Sequence, residues 1–120
     1  MSQVRERHRK AMSLLDEANV ARMRGDSKQS RALGRQAFET EREAAELLTE
    51  THEHEPTRSI LFRSAATLAL DCGEYREAER LATLGLMGNP PEAIALELRI
   101  VQTEAKTHDN ASPAPTPLSV

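Results

Sequence analysis

The chain has 120 residues, 29% of them charged and 38% hydrophobic, and its aromatic side chains are Phe38, Phe62 and Tyr75 alone. That length suits one domain with a single modest core, and a formal net charge of −3 lacks the basic excess of a nucleic-acid-binding domain. The lone cysteine, Cys72, excludes an internal disulfide, and no apolar run approaches a signal segment or a membrane span. A cytoplasmic location follows as the expectation.

Ala, Leu, Glu and Arg dominate, while β-branched residues are too scattered for strands, so the chain reads as all-α. A first helix is predicted over about residues 3–24, with Val4, Ala11, Leu15, Ala18 and Ala21 on one stripe and Leu14 beside it. Gly25 stops it, because glycine tolerates the left-handed conformation that closes a helix. Asp26 or Ser27 can then cap the next helix through a side-chain oxygen. That second helix spans about 27–50 and carries Ala32, Leu33, Ala37, Ala44, Leu47 and Leu48. Glu41, Glu43 and Glu46, with Arg42 among them, read as its solvated face.

"THEHEPT" reads as a linker, with Pro56 suited to the first turn of a third helix over about 56–71. Ile60, Leu61, Phe62, Ala65, Ala66, Leu68, Ala69 and Leu70 make this helix apolar nearly all round, so it should be the most buried. Gly73 ends it, and a fourth helix follows over about 75–87 with Tyr75, Ala78, Leu81, Ala82 and Leu84. In "GNPPEA", Gly88 can close the fourth helix, Asn89 can cap the fifth and Glu92 can reach back as a capping-box acid. The fifth helix, about 90–106, places Ile94, Leu98, Val101 and Ala105 on one face. From Thr107 the three prolines and lost periodicity predict a disordered tail, giving a single domain over 1–106 and a tail over 107–120. That tail should be removable, whereas the fifth helix should not.

Alignment of Gly25 with Gly73 pairs Ala18 with Ala66, Ala21 with Ala69, Asp26 with Glu74 and Ala37 with Gly85. Two hairpins, each closed by a glycine followed by an acid, form a repeated unit. Small residues at such places let helices approach closely. Five helices therefore build two stacked antiparallel hairpins and a C-terminal capping helix.

Residues 59–92 resemble a tetratricopeptide repeat. Phe62 falls where that family has its large aromatic, and Ala65 and Ala66 where its leucine and small residue follow. Gly73-Glu74-Tyr75 falls at its turn, Ala78 at the small residue of its second helix and Pro90 at its terminal proline. Ala69 replaces a usual tyrosine and Ala82 a usual aromatic. In the first hairpin the match is confined to Ala18, Gly25 and Ala37. The resemblance implies a concave face that binds a peptide or helix of a partner protein. It would be lined by Met12, Leu15, Asn19 and Arg22 of the first helix and by Ile60, Arg63, Thr67 and Leu70 of the third. Asn19, Arg22 and Arg63 could grip a carboxylate there.

Other chemistry finds less support. "HEHE" (His52 to Glu55) lies in a linker that supplies no tetrahedral array, so no metal and no cofactor are expected. Cys72 lacks the His and Asn of a nucleophile arrangement, and phosphate loops and G-x-S-x-G or H-E-x-x-H motifs are missing. A non-enzymatic interaction module, an adaptor or regulatory subunit, is the favoured reading. A nucleic-acid accessory protein using Arg5, Arg9 and Lys10 of "VRERHRK" is opposed by the acidic remainder. A self-assembling protein, such as a homodimer, is a third reading.

Overall fold

Two glycines turn the chain back on itself in the same way. In the structure, a computed structural model that describes residues 2–51 and 54–111, Gly25 and Gly73 have φ of +82° and +76°. At the first turn, Gly25 N–H donates to Arg22 O and Asp26 N–H to Ala21 O; at the second, Gly73 N–H donates to Leu70 O and Glu74 N–H to Ala69 O. Both turns are the paired-bond helix closure that a left-handed residue permits. They join α1 (Ser2–Met23) to α2 (Ser27–Glu46) and α3 (Thr57–Asp71) to α4 (Tyr75–Leu86). The two turns part at the caps. Asp26 accepts the Gln29 N–H at 3.1 Å, as its position predicts. Glu74 makes no side-chain cap; its carboxylate accepts from Arg35 of α2 at 2.9 Å.

The aligned small residues are all buried: Ala18 and Ala66, Ala21 and Ala69, Ala37 and Gly85. The chain is all-α, with α1 packed on α2, α3 on α4, and α2 joining the hairpins through α3. The fifth helix, α5 (Glu92–Ala111), covers α3 and α4. Leu98 and Ala105 are fully buried and Val101 nearly so, so its apolar stripe is the predicted one. α3 lies at the centre, burying Leu61, Phe62, Ala65, Ala66, Leu68 and Ala69. A second, smaller cluster of Ala18, Ala21 and Leu33, with Leu14 against it, fills the turn end of the first hairpin. The first hairpin therefore carries part of its own core away from α3. The radius of gyration, 15.4 Å, exceeds the roughly 13.6 Å of a compact chain of this length.

Several expectations are corrected. α2 ends at Glu46, four residues early, where the N–H groups of Leu48 and Thr49 bond three residues back, to Ala45 O and Glu46 O, instead of four. The carbonyls of the same two residues accept from the Arg58 guanidinium, each at 3.0 Å. Ala32 and Leu47 are exposed; Phe38, Ala45 and Glu41 hold the buried face of α2 instead. Gly88 has no left-handed φ and does not close α4 in that way. Its lack of a side chain serves a close approach, since a Cβ there would lie 2.5 Å from Glu55 Oε2 and 2.6 Å from Arg58 Nη1. Asn89 does not cap α5, whose first turn bonds from Ala95 N–H to Pro91 O; the Asn89 N–H instead donates to Glu55 Oε2 at 2.8 Å. α5 runs past Lys106 to Ala111, and His108 stacks on Tyr75 with ring centroids 4.9 Å apart. Residues 112–120 of the expected tail lie outside the described residues.

Candidate interaction cleft

α1 presents Leu15, Ala18, Asn19 and Arg22 at helical spacing, and α2 presents Ser30, Arg31, Gly34 and Arg35 beside them. Opposite stands the C-terminal end of α3 with Leu68, Asp71 and Cys72. Because α1 rests on α2 and makes no comparable packing with α3, these faces leave an open cleft of about 630 Å³. Its floor is apolar, from Leu15, Ala18 and Leu68, and its rim is basic. Arg35 is engaged by Glu74, whose hydrogen bond raises its pKa. Partial burial pushes the Cys72 thiol up, only partly offset by Arg35. That lowers the thiolate fraction and slows, without preventing, reaction of the thiol. Burial, and then Glu104, likewise raise the Asp71 carboxyl.

The predicted groove residues do not converge. Leu15, Asn19 and Arg22 line this cleft, but Arg63, Thr67 and Leu70 line a second cavity of about 490 Å³ against Glu97, Ile100 and Glu104 of α5. Arg63 donates to Glu97 at 2.7 Å, so it is bound to the capping helix rather than aligned with Asn19 and Arg22. Asp71 borders both spaces. Met12 and Ile60 line neither. The residues missed are Ala18, the end of α3 (Leu68, Asp71 and Cys72) and all those of α2, the last because the family resemblance assigns the groove to first helices only. The sequence signal on α2 was Arg31 and Arg35 at i, i+4 with a glycine between them.

Two buried charges escaped the sequence reading. Glu41 is fully buried, not part of a solvated face, and both its oxygens accept from His8 Nδ1, at 2.9 and 3.0 Å. Burial raises its pKa against the opposing effect of His8. Arg58 is 1% exposed; besides Leu48 and Thr49 it reaches Gly85 O at 3.5 Å and lies over the Phe62 ring at 4.9 Å. Burial lowers the Arg58 pKa, and Glu55 and then Glu50 oppose it. Helix C-terminal carbonyls are suited to a guanidinium. Glu55, read as linker, accepts from Ser59 N–H at 3.0 Å and so covers the start of α3. His52 and Glu53 of "HEHE" lie outside the described residues, among which no cluster of His, Cys, Asp or Glu could hold a metal ion. No helix among them is long and apolar enough to cross a membrane.

Comparison with protein-family models, with curated proteins and with solved structures finds no match.

Proposed function

We propose that the chain is a tetratricopeptide-like interaction module, non-catalytic and cytoplasmic, that serves as an adaptor or regulatory subunit. It holds a segment of a partner protein between its two hairpins. The observation that carries this reading is the cleft itself, apolar on its floor, polar on its rim and bordered by the small residues Ala18, Ser30 and Gly34. A Cβ placed on Gly34 meets nothing within 4 Å, so a side chain there starts into the open cleft, and circular dichroism of Gly34→Trp checks that the fold is kept.

The test is selection of binders from an unbiased displayed-peptide library on the wild-type protein and on Gly34→Trp. Peptides enriched by the first and lost with the second support the reading. Enrichment of none, or equal enrichment on both proteins, sinks it. Self-assembly is the second reading, favoured by Leu96 and Ile100 on α5, which stay 54% and 48% exposed. Light scattering over a concentration series decides it, a rise in mass supporting self-association.

A further inference from the structure

The charge of the cleft narrows what it can hold. Three arginines border it, Arg22, Arg31 and Arg35, against one acid, Asp71. Arg35 is shared with Glu74 at 2.9 Å. Among the described residues, Arg22 and Arg31 have no carboxylate within ion-pair distance, although the chain as a whole is acidic. Away from the cleft, Arg42 and Arg80 pair with Glu77, Arg63 with Glu97, Arg7 with Glu43 and Arg76 with Asp109. The other exposed arginines without such a pair among the described residues, Arg5, Arg9, Arg24 and Arg99, stand outside this cleft. A second observation concerns Gly34. A glycine inside a helix costs stability relative to alanine, and here neither a positive φ nor a close neighbour requires one. Open space above a helical glycine lets another backbone come close.

Resting on the interaction reading, we propose that the occupant is an acidic peptide segment of a partner protein, its backbone passing over Gly34 and its carboxylates gripped by Arg22 and Arg31. Apolar or small side chains between those carboxylates sit on Leu15, Ala18 and Leu68. Guanidinium forks favour carboxylates through paired, charge-assisted hydrogen bonds, and the unpaired arginines steer an acidic chain toward the cleft. The second hairpin contributes the far wall, so the site exists only once both hairpins are stacked.

Cys72 lines the cleft and is the one thiol of the chain, which makes it a built-in reporter of occupancy. The experiment uses the full chain and a short fluorescein-labelled peptide alternating Glu with Leu, beside versions carrying Gln or Lys in place of Glu. The Glu peptide should bind at least about tenfold more tightly than either, lose affinity as salt rises, and slow alkylation of Cys72. Arg22→Glu combined with Arg31→Glu, which breaks no ion pair, should abolish that binding and transfer the preference to the Lys peptide. Gly34→Trp should block all three peptides, and Gly34→Ala should weaken the Glu peptide severalfold, because its methyl group stands where the peptide backbone passes.

Equal binding of the Glu and Gln peptides, or Glu binding untouched by the double reversal, overturns the acidic-partner proposal. The interaction reading stands in that case if the unbiased library still yields peptides excluded by Gly34→Trp. Failure of the library and of all three peptides removes both. Two other occupants are also read out, and either overturns the proposal. A second copy would protect Cys72 as protein concentration rises without peptide, and a nucleic acid would show as an oligonucleotide protecting it better than the Glu peptide.

Discussion

Arg58 shows how much one side chain decides in a core made largely of alanine. Its fork closes the frayed end of α2 through Leu48 and Thr49, touches the end of α4 at Gly85 and lies on Phe62. A lysine carries the charge but cannot form that fork. Arg58→Lys should therefore destabilise nearly as much as Arg58→Ala, by about 1.5–3 kcal/mol for the lost charge-assisted hydrogen bonds, measured by urea denaturation. A loss under about 1 kcal/mol for the lysine variant would show that charge alone suffices there. His8 is the corresponding residue for the first hairpin, because it is the partner of the buried Glu41 carboxylate. The folded pKa of Glu41 is raised, so its contribution is present below the ordinary carboxylate value and lost as pH rises through the folded value. His8→Ala moves that folded value higher still. Its cost, about 1–3 kcal/mol at neutral pH, should shrink as the medium is acidified toward the ordinary carboxylate pKa. Equal loss at both ends of the range would show that Glu41 is not the group concerned.

Between elements, the hairpins are bound by charge as well as by small residues. Arg80 of α4 donates to Glu46 of α2 and to Glu77 of its own helix, both at 2.6 Å, while Arg42 of α2 reaches Glu77 at 3.2 Å. Arg42 also lies 4.8 Å from the Phe38 ring centroid, so this network continues into the core. The Arg80 hydrogen bond holds the Glu77 carboxyl below its ordinary pKa against partial burial. At Glu55 burial raises the carboxyl, but the bonds from Ser59 and Asn89 and the Arg58 charge outweigh it and leave it lowered. For a lowered carboxyl, stability is present above the ordinary value and lost as pH falls through the folded one. The protein should thus lose stability in acid, and Glu77→Gln, itself costing about 0.5–1 kcal/mol near neutrality, should flatten that decline. An acid limb of unchanged steepness in Glu77→Gln would remove the inter-hairpin network from the account. Arg80→Gln should act in the same direction.

For the molecule as a whole, α5 both completes the core and borders the second cavity. Truncation after Asn89 removes Leu98, Val101 and Ala105 from α3 and α4. Burial of each larger side chain stabilises by roughly 1.5–3 kcal/mol, a large part of the margin of a small domain, so that chain should aggregate or remain unfolded. Truncation after Lys106 is a finer test. It deletes the stack of His108 on Tyr75 and the 3.8 Å pair of Arg76 with Asp109. The aromatic pair is worth about 0.5–1.5 kcal/mol, which lowers the melting temperature by several degrees. Truncation after Ala111 leaves both contacts in place and should melt like the full chain. If the chains ending at Lys106 and Ala111 melt together, the last turns of α5 add nothing.

The helices, the two glycine turns and the α5 stripe were legible in the sequence because each is a local signal. Helical spacing of Val4, Ala11 and Ala18 needs only the neighbouring turn, and a left-handed position selects glycine wherever it stands. The equivalence of Ala18 with Ala66 and of Ala37 with Gly85 was legible for the same reason, since a repeated hairpin repeats its close contacts. What the tertiary structure alone decided is where charge is buried and which faces meet. Glu41 and Arg58 look like solvated residues in their own helices, because a buried charge is recognised only by its distant partners, His8 and the carbonyls at the end of α2. The separation of Arg63 from Asn19 and Arg22 was equally hidden. It depends on α5 reaching across α3 to offer Glu97, and on α1 leaning on α2 instead of α3. Local periodicity says which face of a helix is apolar, but the distance between two such faces is set by everything packed around them.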